Sequence, residues 1–90
     1  MSHTLREKAK LVSRARRLKG QMDAVERALE AEAPCGEVLQ LLASIRGALA
    51  GLTGKVMQDH LVEHILHAQD ETERRAATGE LAEALRTYIR

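Results

Sequence analysis

Two stretches of this chain repeat an apolar residue at spacings of 4, 3, 4, 3 and 4. The first series is Leu11, Ala15, Leu18, Met22, Val25 and Leu29. The second is Val38, Leu42, Ile45, Leu49, Leu52 and Val56. This is the heptad pattern that lets helices lie against one another along their length. A strand would require alternation with period two, which neither stretch shows. The chain must therefore fold as long helices that each seek a helical partner.

The limits of these helices are marked by local chemistry. Thr4 followed by Glu7 is a capping-box signature, which predicts a first helix over residues 5–32. Pro34 ends it or opens the next, because proline is tolerated in a first turn and not inside a helix. The second helix is predicted from Cys35 or Gly36 to His67. Leu39, Leu41, Leu61, Val62, Ile65 and Leu66 widen its apolar surface beyond one stripe. Ala43, Gly47 and Gly51 form a ladder of small residues that permits close helix approach. Residues 68–78 are polar and read as a linker or helix extension. Thr78 is the candidate N-cap of a short third helix, with Leu81, Leu85 and Tyr88 or Ile89 on one face.

The expected fold is all-α, one domain over residues 1–90, with two long helices and a short third. Phe and Trp are absent and Tyr88 is the only aromatic residue, so the core must be aliphatic. Helices of this length span about 40–50 Å at 1.5 Å per residue. A short third helix cannot cover both seams. The simplest remedy is a homodimer in which two hairpins form an antiparallel four-helix bundle.

Charge is unevenly distributed. Residues 6–19 carry Arg6, Lys8, Lys10, Arg14, Arg16, Arg17 and Lys19 against Glu7 alone, a local charge of +6 in a chain of net +1. Few acids are placed to pair with this band at i, i+4, so it repels itself unless a polyanion neutralises it. Lys10, Arg14, Arg16, Arg17 and Lys19 are the candidate DNA-binding residues; a plain solvated face is the competing reading. No helix-turn-helix unit, zinc finger or aromatic stacking platform is present, so recognition would rest on phosphate contacts and DNA shape. Glycine-rich phosphate loops, nucleophile elbows and dinucleotide fingerprints are also absent, which argues against an enzyme. One cysteine and no signal peptide suggest a reduced, cytoplasmic setting. No apolar run approaches the roughly 18 residues needed to cross a membrane.

The remaining chemistry lies in four histidines and the single cysteine: His3, Cys35, His60, His64 and His67. His60, His64 and His67 stand at i, i+4 and i+7, which places them on one face of an α-helix. His60 and His64 can hold one ion together. His67 and Glu63 are candidate ligands or supporting groups. Cys35 lies 25 residues before His60, roughly 37 Å along one straight helix. A metal shared by Cys35 and His60 therefore requires two subunits. His3, and the amine of Ser2 if Met1 is removed, can add nitrogen donors. Thiolate with imidazole and amine suits Ni(II), Co(II) or Zn(II), with Cu(I) also possible, better than hard ions. Taken singly, surface histidines and a small apolar cysteine explain the same residues equally well.

The opening SHTLREK, the stretch RARRLKGQMDAVERAL, Cys35, LLASIRGALAGL and HLVEHILH together resemble the CsoR/RcnR family of bacterial metal- and stress-sensing repressors. The resemblance extends over the whole chain. His3 and His64 added to Cys35 and His60 look like its nickel- and cobalt-sensing branch. It implies an antiparallel dimer, a dimer-of-dimers tetramer and apo binding to operator DNA through the first helix. It further implies release of DNA on Ni(II) or Co(II) binding, which derepresses an efflux gene. The implied ligands are His3, Cys35, His60 and His64, with the Ser2 amine as a further candidate. Ala50, where relatives often carry Asn, and Pro34, where an acid is frequent, depart from the family. The rival readings are a formaldehyde or electrophile sensor using Cys35 and the N-terminal amine, and a metal-buffering protein.

Overall fold

A computed structural model describes residues 5–89 of the chain, with the side chain of Leu5 left aside. Three α-helices and one π-helical turn account for nearly all of it. They are α1 (Leu5–Glu30), α2 (Cys35–His60), the π turn (Leu61–Leu66) and α3 (Glu71–Ile89). Residues up to Thr53 form one compact unit and residues from Gly54 form another. Thr4, the expected cap of α1, lies outside the described residues.

In the first unit α1 stops two residues before the expected Glu32. Ala33 N donates to Ala28 O at 2.9 Å and Glu32 N to Leu29 O at 3.1 Å. Glu32 sits at φ 56° between them. This is the paired closure that ends many helices, with a left-handed residue just past the last turn. Glycine usually fills that place, and Glu32 accepts about 1 kcal/mol of backbone strain instead. Pro34 then opens α2, its carbonyl accepting from Glu37 N at 2.9 Å.

Two contacts give the direction of the hairpin. Gln21 Nε2 donates to Ser44 Oγ at 3.5 Å. A Cβ built at Gly51 would stand 2.8 Å from Arg14 Nη2. Going seven residues back on α1 goes seven forward on α2, so the helices run antiparallel. Of the two seams only Val25 is buried, at 5 % exposure. Met22, Leu29, Leu42 and Leu49 are 42–60 % exposed. A Leu gains about 1.5–3 kcal/mol on full burial. One hairpin leaves much of that unrealised.

The second unit departs further from expectation. The α-helical hydrogen bonding predicted to reach His67 stops at His60 and continues as the π turn. His67 N donates to Val62 O, five residues back, at 3.0 Å. The third helix is longer than expected. It begins at Glu71 and holds 19 residues. Its cap is Asp70, whose Oδ1 accepts from Glu73 N at 2.8 Å. Glu73 reaches back, Oε1 accepting from Gln69 N at 2.6 Å. Asp70-x-x-Glu73 is thus a capping-box variant within a segment whose lack of an apolar seam suggested a linker. Thr78 lies inside the helix, its hydroxyl donating to Arg74 O at 2.7 Å. The unit's buried apolar residue is Ala77, at 3 % exposure.

The helical run Cys35–Leu66 contains a window of mean hydropathy 1.2, long and apolar enough by composition to cross a membrane. This differs from the expectation that no apolar run approaches that length. The averaged measure passes because Glu37, Arg46 and Lys55 are widely spaced among leucines.

Candidate metal centre and nucleic-acid face

His60 ends α2 and His64 lies in the π turn, with ring centroids 5.4 Å apart. Both rings are half-buried against α3 and each has one nitrogen engaged. His60 Nε2 lies 2.9 Å from the carbonyl of Ala77. A carbonyl only accepts, so Nε2 carries the proton and Nδ1 keeps the lone pair. His64 Nδ1 lies 3.1 Å from Glu73 Oε2. With the carboxylate accepting, Nδ1 carries the proton and Nε2 keeps the lone pair. The Gln69 amide, then the His64 ring, hold the Glu73 carboxyl below its ordinary value of 4.5. Glu80 stands by His60, with Oε1 3.6 Å from Nε2, too far for a direct hydrogen bond.

Arg74 closes the other side of this arrangement. Its Nε donates to Ile65 O at 3.1 Å, satisfying a carbonyl of the π turn, and Nη1 bridges to Glu71 at 2.6 Å. Beside His60 lies a cleft of about 230 Å³, lined also by Val56, Met57, Glu80, Leu81 and Ala84.

The structure separates the histidines that the i, i+4, i+7 spacing had joined. In a π turn each residue rotates through less than the roughly 100° of an α-helix. The face shared by His60 and His64 is therefore not continued to His67, which caps the turn and is exposed. Glu63 is half-buried within the turn. Cys35 is exposed at the first position of α2, the far end of the helix that His60 closes. Among the described residues no group of three or more His, Cys, Asp or Glu side chains meets to hold a metal. Ser2 and His3 lie outside the described residues.

The donor chemistry nonetheless fits a borderline metal ion. Each imidazole is fixed by a partner on one nitrogen and offers the other, the arrangement that supports metal-ligating histidines generally. Sequence reasoning passed over Glu73 and the Ala77 carbonyl. Only the Asp70-x-x-Glu73 spacing signalled them, by placing the start of α3 next to the π turn.

The basic band lies on α1. Lys10, Arg16, Arg17 and Lys19 are exposed, and Arg14 is half-buried against Gly51. Among the described residues, the arginine and lysine ion pairs fall on Lys55, Arg74, Arg75 and Arg86, not on this band.

Residues 7–87 match the family described as metal-sensitive transcriptional repressor. The chain belongs to this family. It is 42 % identical over 90 residues to the transcriptional repressor RcnR of Citrobacter koseri, covering 100 % of both chains. Among solved structures it is similar to a variant of the formaldehyde-responsive regulator FrmR of Salmonella enterica serovar Typhimurium. That match has a TM-score of 0.87 and 36 % identity, and covers 96 % of this chain and 98 % of the other. The nickel-responsive transcriptional regulator InrS matches with a TM-score of 0.73 and 33 % identity, covering 98 % of this chain and 99 % of that one. The chain is a metal-responsive transcriptional repressor and not an enzyme.

Proposed function

We propose that the metal-free protein is a homo-oligomer that binds operator DNA, and that Ni(II) or Co(II) binding releases it and derepresses metal efflux. The observation that carries this is the pair of imidazoles at His60 and His64, each held through one nitrogen with the other available. Cys35 completes the set from a second copy, because α2 runs unbroken from Cys35 to His60 and separates them by roughly 37 Å. His3 and the Ser2 amine add donors from the N-terminal segment. Glu63 and His67 are the weaker candidates. A thiolate with several nitrogen donors favours Ni(II) or Co(II), and Zn(II) or Cu(I) are competitors.

Double-stranded DNA is bound by Lys10, Arg14, Arg16, Arg17 and Lys19, whose repetition in each subunit tracks phosphates. The exposed seams are covered by the second copy in an antiparallel four-helix bundle, and two dimers form the tetramer. The apolar length of Cys35–Leu66 is on this reading a helix-packing surface. The chain acts as one domain in the cytoplasm. If metal favours the DNA-free state, DNA weakens metal binding by the same factor.

A second reading has a specific observation in its favour. Cys35 is exposed, and one similar structure is a formaldehyde-responsive regulator. There Cys35 and the N-terminal amine would react with an electrophile and no metal would be needed.

Titrating the reduced apo protein against its own promoter region separates the two. Tight binding lost on addition of one equivalent of Ni(II) or Co(II), and kept with formaldehyde, is the expected result. Release by formaldehyde alone moves the function to electrophile sensing. Absence of a specific apo complex at moderate salt removes the repressor mechanism and leaves metal buffering.

A further inference from the structure

The two carboxylate oxygens of Glu73 are committed to different partners beside His64. Oε2 lies 3.1 Å from His64 Nδ1, and Oε1 accepts from Gln69 N at 2.6 Å. Its own backbone amide donates to Asp70 Oδ1 at 2.8 Å. One residue therefore touches the imidazole and the connecting segment through its side chain, and the cap of α3 through its backbone amide. His60 is held differently, by a main-chain carbonyl that no side-chain substitution can remove.

We propose that Glu73 is a positioning residue that holds His64 in its Nδ1–H tautomer, turns Nε2 toward metal, and ties metal occupancy to the N-terminal cap of α3. This rests on His64 being a ligand, as proposed above. Coordination at Nε2 draws electron density from the ring and makes Nδ1–H a stronger donor. Its bond to the ionised carboxylate then tightens. A tighter Glu73 also holds Gln69 and the first turn of α3 more firmly. Linkage requires the converse: a formed cap favours metal binding. The tautomer is set in the apo protein, so the ring need not reorient when metal arrives.

The contrast between Gln and Glu at this position tests the idea. In Glu73→Gln the amide oxygen can keep the Gln69 bond while its NH₂ group faces the ring. A donor there favours a lone pair on Nδ1 and moves the proton to Nε2. Histidine tautomers are read in the apo protein from two-dimensional ring ¹⁵N–¹H correlations, and Co(II) affinity from competition with a chelator. The expected result is Nδ1–H for His64 in the wild type, loss of that form in Glu73→Gln, and a drop of about 10–100-fold in Co(II) affinity. Asp70→Ala is the companion variant. It removes the cap and leaves the carboxylate beside the ring, so the tautomer should hold and Co(II) affinity should fall by less than in Glu73→Gln, as linkage to the cap requires. An Nε2–H tautomer in the wild type overturns the proposal without recourse to any variant. So does unchanged Co(II) affinity in Glu73→Gln, or an equal loss in Asp70→Ala. His64→Ala tests the underlying reading separately. If it binds Co(II) as the wild type does, His64 is not a ligand. If it binds weakly while Glu73→Gln binds normally, only the role of Glu73 falls.

Discussion

The two units of this chain solve opposite problems. The first presents a long exposed apolar surface. Val25 is its buried residue, and the side-chain hydrogen bond from Gln21 to Ser44 is 3.5 Å long. The second holds its parts by named polar contacts. Ala77 O, Glu73, Asp70 and Arg74 each bind a specific partner at 2.6–3.1 Å at the end of α2, in the π turn or around the start of α3. Apolar burial is non-directional and scales with area, so a surface like that of the first unit can be completed by another copy. Hydrogen bonds are directional and lose most of their worth when misaligned, so the second unit fixes where particular atoms point. On the function proposed, assembly would rest on the first unit, and the orientation of His60 and His64 rests on the second.

The sharpest way to break this contrast is to charge the seam. Leu42→Asp places a carboxylate on the exposed stripe of α2, where the proposed partner lies. If that stripe is an interface, burying the charge costs several kcal/mol and the oligomer dissociates. Sedimentation at micromolar protein should show the loss of the large species, accompanied by reduced helicity in circular dichroism. An oligomer that persists unchanged would put the interface elsewhere.

A smaller effect is expected from the second unit. Asp70→Ala removes the N-cap of α3 and should cost about 1 kcal/mol. Amide exchange should accelerate over the first turn of α3, near Glu73 and Arg74, without spreading to α1. Uniform acceleration throughout the chain would show that the two units do not differ in the way described.

The smallest effect is expected at Gly51→Ala. Alanine favours the helix by up to about 1 kcal/mol over glycine. Its Cβ would lie 2.8 Å from Arg14 Nη2, the mobile end of a flexible side chain, which can move aside. Stability should therefore hold or rise slightly, while DNA affinity changes if the seated position of Arg14 is the one that binds phosphate. Thermal melts and a salt-dependent DNA titration report the two effects separately. Lower stability would mean that the guanidinium is held more rigidly than its exposure suggests.

Much of this molecule was legible from residue spacing. Heptad repeats set two long helices, because side chains three and four apart share a helix face whatever the tertiary setting. Pro34 placed the break between them. The local excess of arginine and lysine identified the basic face, since charge density is a property of the residues alone. The placement of Cys35 and His60 at opposite ends of one helix was legible too, since 25 residues separate them. Tertiary structure decided what depends on contacts distant in the chain. The π turn separates His67 from His60 and His64, and spacing cannot foresee it because it changes the rotation per residue. The start of α3 at Glu71 depends on a polar cap that carries no apolar period. The assignment of a proton to one ring nitrogen of each histidine depends on a carbonyl 17 residues away and a carboxylate nine residues away. Periodicity reveals which face of a helix is apolar, and only folding brings a particular acceptor to a particular nitrogen.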